Sequence, residues 1–137
     1  MRMKELTLDA TVENLDRVMG FLEEELEAAG CPRKTQMQIA VSAEEIYVNI
    51  ASYAYAPGTG KATLRVEFPD DPKAACITFI DSGVPFDPLK KADPDVTLSS
   101  EERGIGGLGI YMTKKAMDEM RYAYEDGKNV LTMVKHF

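Results

Sequence analysis

The chain has 137 residues, 45% of them hydrophobic, and a formal net charge of −7, which suits one ordinary domain that buries roughly two thirds of the surface its unfolded form exposes. The acidic balance argues against a nucleic-acid partner, because affinity for a phosphate backbone comes mainly from clustered Lys and Arg. No apolar run approaches the ~18 residues of a membrane span, and the charged opening "MRMKE" does not read as a signal peptide, so a cytoplasmic protein with no membrane partner is expected.

Residues 4–10, "KELTLDA", alternate polar and apolar and predict a strand with Leu6 and Leu8 on one face. Thr11 reads as a cap, and Val12, Leu15, Val18, Met19, Leu22 and Leu26 recur at the spacing of an amphipathic helix over 12–29, which Gly30 and Pro32 close. A second helix is expected from Arg33 to Tyr55. After the break "PGTG", the runs "KATLRVEF" and "AACITFI" predict two antiparallel strands joined by "PDDP". Residues 81–107 hold three prolines and no periodicity, longer than most connections inside a compact domain. A third helix is expected over 108–120, then a hairpin of "RYAYE" and "NVLTMVKHF" around "DGKN". This order predicts an α+β two-layer sandwich, with helices on one face of a mixed, mostly antiparallel sheet. Cys31 and Cys76 lack C-x-x-C spacing and His136 stands alone, so they supply no metal-ligand set and the thiols read as inert.

Three stretches are candidates for chemistry. On the second helix Gln38, Ser42, Glu45, Asn49 and Ser52 form one polar stripe about a residue wide, flanked by apolar positions. A solvent-facing stripe is one reading. The other aims Glu45 and Asn49, four residues apart, into a cleft together, where the carboxylate serves as a general base and the amide oxygen as a ligand for a hard cation such as magnesium. The second stretch is "FIDSGVPFDP", whose Asp81 ends an apolar strand beside Gly83. It reads either as a turn residue or as a carboxylate that accepts a hydrogen bond from the exocyclic amine of a base such as adenine. The third, "SEERGIGGLGIY", packs four glycines into six positions before a helix. Either it is a hinge, or its main-chain amides and the helix dipole receive an anion. A P-loop is excluded, since no Lys-Ser or Lys-Thr follows the last glycine. A dinucleotide fingerprint fails because "LSSEER" is no buried strand.

In this order the stretches resemble the ATP-binding domain shared by gyrase, the histidine kinases and the MutL proteins: "EEIYVNIASYAY" is similar to its N box, "DSGVPFDP" to its first glycine box and "RGIGGLGIYMTKKAMDEM" to its second. The resemblance is closest to the small anti-sigma factor serine kinases and covers nearly the whole chain. It implies a single Bergerat-type domain over 1–137, with ATP and Mg2+ as cofactors and a lid at about 88–106. Carried over position by position, Glu45 matches the catalytic base, Asn49 the magnesium ligand, Asp81 the adenine-reading carboxylate and Gly83 the glycine beside the base. Gly104, Gly106, Gly107 and Gly109, with Ile105 and Leu108 between them, match the phosphate-contacting turn. Arg103 is either a charge stabiliser for the transferred phosphoryl group or an exposed lid arginine. The family's late threonine matches Thr132 or Asn129. Pro85 and Tyr53 depart from the glycine and histidine that many relatives carry at those positions. The implied function is serine phosphorylation of a STAS-domain anti-anti-sigma partner coupled to sequestration of a sigma factor, with a homodimer expected by analogy. The alternatives are an ATP-binding partner-switching module without kinase activity and a gyrase-like ATP hydrolase.

Overall fold

The structure is a computed structural model that describes residues 2–90 and 107–137. Its strands are β1 (Arg2–Asp9), β2 (Lys61–Phe68), β3 (Ala74–Asp81), β4 (Glu119–Glu125) and β5 (Lys128–His136), and its helices are α1 (Leu15–Ala28), α2 (Arg33–Asn49) and α3 (Gly107–Ala116). The strands form one sheet in the order β1-β2-β3-β5-β4. All four pairings are antiparallel, so among the described residues the sheet lacks the parallel pair that a mixed sheet would contain.

Strand periodicity decides which side of the sheet is covered. Register aligns Leu6, Leu64, Phe79, Leu131 and Tyr122 across all five strands, and Val66, Ile77, Met133 and Met120 across four. This face packs against Val18, Leu22 and Leu26 of α1, Ile39, Ala43 and Ile46 of α2, and Ile110 of α3. Removing a Phe or Leu from such a layer costs about 2–5 kcal/mol, because transfer and cavity terms add. The opposite face is polar across β1 and β2: Thr7 and Thr63 share a hydrogen bond of 2.8 Å, and Arg65 pairs with Glu5 at 2.6 Å. Tyr47, 1% exposed, fastens the β1–α1 connection to α2 by donating to the Thr11 carbonyl at 2.6 Å and accepting from the Thr11 amide at 3.1 Å.

Three boundaries differ from expectation for local reasons. The first helix begins as a 3-10 turn, Val12–Asn14, before α1. The second ends in a π-helical turn, Ile50–Ala54, whose last carbonyl accepts the Val84 amide at 3.0 Å; such turns recur at functional sites. The third stops at Ala116 rather than Met120, since the Asp118 amide donates to the Val134 carbonyl at 2.9 Å and Met120 pairs with Met133. Sheet pairing overrides the helical spacing of "MDEM". The final hairpin turns at Asp126 and Gly127, both at positive φ, as a two-residue Asp-Gly turn requires.

Candidate functional site

The polar stripe of α2 does not simply face water. Ser42 is buried at 2% exposure, and Glu45 and Asn49 are half-buried. One turn apart on the same helix face, they are linked directly: Asn49 Nδ2 donates to Glu45 Oε1 at 3.1 Å and to the Glu45 carbonyl at 3.0 Å. With its nitrogen so engaged, the amide has Oδ1 as its available acceptor. The Glu45 carboxylate lies against the first turn of α3. A Cβ at Gly109 would fall 2.1 Å from Glu45 Oε1, so a side chain there would displace the carboxylate from this place. That position also brings the carboxylate to the positive end of the α3 dipole.

Asp81 is set by the sheet. It follows Ile77 and Phe79 at period two and therefore points to the helix-covered side, where it is 6% exposed. Its Oδ1 accepts the Gly83 amide at 2.9 Å and Asn129 Nδ2 at 2.9 Å. Gly83 presses on the π-helical turn that follows α2: a Cβ there would meet the Ala54 carbonyl oxygen at 2.3 Å. The loop after β3 is thus held to α2 and to Asp81 together.

Between α2, the β3 end and this loop lies a cavity of about 480 Å³, within the usual range for a small-molecule site. Its inner wall is apolar, built by Ile46, Ile50, Phe79 and Leu131, and its polar groups are Asn49, Asp81, Asn129 and Tyr122. Tyr53, Val84 and Phe86 form an exposed rim. A mostly apolar cavity with one buried carboxylate in its lining can take a flat apolar group that donates a hydrogen bond.

A model of the histidine kinase-like ATPase domain matches residues 8–135. The chain belongs to that family. The resemblance drawn from the three boxes is thereby borne out, and at the family level this is a kinase-like ATPase domain of an ATP-binding family. Among curated relatives it is similar to the serine/threonine-protein kinase BtrW of Bordetella bronchiseptica, with 25% identity over 103 residues, covering 75% of this chain and 72% of the relative. Among solved structures it is similar to the RsbU and RsbW domains of Rv1364c from Mycobacterium tuberculosis, at a TM-score of 0.70 and 19% identity. That match covers 98% of this chain but 32% of the other, so the chain spans about a third of it. It is also similar to the SiaB–SiaC complex from Pseudomonas aeruginosa, at a TM-score of 0.63 and 16% identity, covering 96% and 89% of the two chains. These likenesses establish the α+β fold.

Within this histidine kinase-like domain, the described residues bring Asn49 and Asp81 to the cavity wall, with Glu45 reached through Asn49 and Gly83 behind the loop. Gly109 meets Glu45 rather than the cavity, and Gly107 opens α3 ahead of Leu108. Arg103, Gly104, Ile105, Gly106 and all of the expected lid beyond Lys90 lie outside the described residues. The two candidates for the late position stand on opposite faces: Asn129 pairs with Asp81 on the helix side and lines the cavity, whereas Thr132 lies on the far face and shares a hydrogen bond of 3.2 Å with Thr78. Tyr122 is a site residue that sequence reasoning missed. Burial pushes its phenol pKa up; the Phe86 amide opposes this and the nearby Asp87 and Asp81 reinforce it, so it serves as a neutral donor. Its period-two place in "RYAYE" put it on one strand face, but no motif marked which face.

No helix among the described residues is long and apolar enough to cross a membrane, and among them no cluster of His, Cys, Asp and Glu could hold a metal. Burial raises the pKa values of both Cys31 and Cys76, consistent with unreactive thiols.

Proposed function

We propose that the protein is an ATP-dependent serine-protein kinase of a partner-switching system: it transfers the γ-phosphoryl group of Mg-ATP to a serine of a STAS-domain partner and, in the alternate state, sequesters a sigma factor in the cytoplasm. The observation that carries the nucleotide part is the buried Asp81 carboxylate lining a mostly apolar cavity of about 480 Å³, with Asn49 lining it from α2. The partner part is supported by kinship with a named serine/threonine-protein kinase and by likeness to a protein solved in complex with another.

In this reading Asp81 accepts the adenine amine, and Gly83 allows the backbone to lie close to the base. Asn49 Oδ1 is the protein ligand for magnesium, which when bound neutralises charge on the phosphates. Glu45 accepts the proton of the attacking serine hydroxyl and is oriented for it by the Asn49 amide. Main-chain amides of residues 104–109 and the guanidinium of Arg103 receive the negative charge of the triphosphate. Phosphorylation adds about −1.5 to −2 charge to the partner surface. Against a chain of net charge −7, this disfavours rebinding and completes the switch.

Incubation of the purified chain with labelled Mg-ATP and the cognate STAS protein tests the reading. Label on a partner serine, lost in Glu45→Ala with ATP binding retained, is the expected result. Tight ATP and partner binding without label transfer would make it a binding module, and phosphate release independent of any partner would make it a hydrolase.

A further inference from the structure

Three large apolar side chains stand in the open on the helix layer. Met37 and Val41 of α2 are 65% and 69% exposed, and Met112 of α3 is 57% exposed. Met37 and Val41 are one turn apart on one helix face, away from Ile39, Ala43 and Ile46, which α2 buries against the sheet. The two helices run in opposite directions. α2 and its π-helical turn run toward the cavity, where Ala54 meets Gly83. α3 starts with Gly109 against Glu45 and runs away from the cavity to Asp118, whose amide joins Val134 at the far end of β5 from Asn129. Val41 therefore lies one turn from Glu45 on α2, and Met112 one turn from Gly109 on α3, both on the side away from the cavity. Single exposed apolar residues are ordinary surface, but three at neighbouring levels of adjacent helices form a patch, and this one begins beside the proposed catalytic base.

Charge is graded along the same face. Glu44 is exposed next to Glu45, whereas Arg33, Lys34 and Lys115, all exposed, stand at the other end, where α2 begins and α3 finishes. Among the described residues Arg33 and Lys34 enter no ion pair, and Lys115 lies over the Tyr111 ring at 5.5 Å. The exposed face of α1 is the reverse: it carries Asp16, Glu23, Glu24 and Glu27 against one cation, Arg17. On a chain of net charge −7, an apolar patch with cations at one end and carboxylates at the other selects a partner of the opposite gradient.

We propose that this α2–α3 face docks the phospho-acceptor protein: an apolar side chain of the partner seats among Met37, Val41 and Met112, its carboxylates meet Arg33, Lys34 and Lys115, and its serine is thereby delivered to Glu45. This rests on the kinase reading above. Lys34 precedes Glu45 by 11 residues, about 16 Å of helix, so the partner's carboxylates lie about that far from its acceptor serine. Carboxylates nearer the serine would face Glu44 and Glu45 and be repelled. The same gradient acts on the product, since a new phosphoserine stands at the acidic end, out of reach of the cations.

The test uses the full chain with its cognate STAS protein and two surface variants that leave the cavity untouched. Met37→Gln with Val41→Gln removes the apolar contact while keeping a good helix former at the first position and a better one than valine at the second. Lys34→Glu with Lys115→Glu reverses two charges. Each pair should raise the KM for the STAS protein about 10-fold, with kcat at saturating partner and calorimetric ATP affinity within about 2-fold of wild type. The effect of the charge reversal should shrink as salt is added, and that of the glutamines should not. An unchanged partner KM in both pairs overturns the proposal. So does a fall in ATP affinity that matches the rise in KM, which would put the defect in the nucleotide site. Wild type that binds Mg-ATP but labels no serine removes the kinase reading alone, and calorimetric affinity for the STAS protein then decides the surface: a loss of about 10-fold in the two pairs supports it, and unchanged affinity overturns it.

Discussion

The two ends of the cavity are built by different means. At the strand end, Asp81, Asn129 and Tyr122 stand on adjacent strands, with both paired residues 6% exposed and every donor and acceptor of Asn129 engaged. At the helix end, Glu45 and Asn49 are half-buried on α2 and depend on one glycine contact to α3. Paired strands hold their side chains through a ladder of backbone bonds, whereas a helix–helix contact adjusts by sliding. The strand end therefore holds its polar groups in one geometry, and the helix end leaves its groups freer to adjust.

Four substitutions would break or sharpen that contrast. The largest effect is expected at the helix end: Glu45→Gln should slow phosphoryl transfer to the partner about 100- to 10,000-fold, the range for losing a general base, with ATP affinity within about 3-fold, as single-turnover transfer and calorimetry would report. If ATP affinity falls as far as the rate, the division between the ends is wrong. Next, Asp81→Asn should weaken ATP binding about 30- to 150-fold, equivalent to about 2–3 kcal/mol for a hydrogen bond to a charged acceptor, without changing the rate at saturating ATP.

Gly109→Ala tests the glycine contact. A Cβ 2.1 Å from Glu45 Oε1 displaces the carboxylate, the mobile end of its side chain, so slower transfer is expected, with stability in chemical denaturation within about 1 kcal/mol of wild type because alanine favours a helix over glycine. Unchanged transfer would mean that the carboxylate does not act from this position. The smallest effect lies outside the cavity. Asp118 is held below the ordinary carboxylate range, chiefly by the His136 amide at 2.7 Å, with Lys135 and the His136 side chain contributing despite a partial desolvation cost. Its depressed folded value means that its contribution is present above the unfolded carboxylate range and is lost as pH falls through the folded value. Because the side chain is 37% exposed and screened, Asp118→Asn should cost no more than about 0.5 kcal/mol at neutral pH. The difference from wild type should vanish in acid melts.

Most of the architecture was legible because the apolar residues carry it. Val18, Leu22 and Leu26 mark α1, and the alternation in "KATLRVEF" marks β2 with the burial the structure shows. The three boxes located Asn49 and Asp81, which both reach the cavity wall. The end of α3 was misread because Met117 and Met120 are spaced as on a helix while the sheet claims Met120. β5 was ambiguous in a more basic way. Leu131 and Met133 alternate with Val130 and Val134, so both of its faces look apolar and neither Asn129 nor Thr132 announces its side.

The amino-acid order alone determined the sequence of elements, the apolar layer and the identity of the residues suited to nucleotide chemistry, because periodicity and backbone preference act over a few neighbouring positions. Only the tertiary structure decided that Asn129 rather than Thr132 faces Asp81, that Tyr122 holds it, and that Gly109 makes room for Glu45. Those facts depend on strand register and helix approach between segments tens of residues apart. There a shift of one residue exchanges the two faces of a strand.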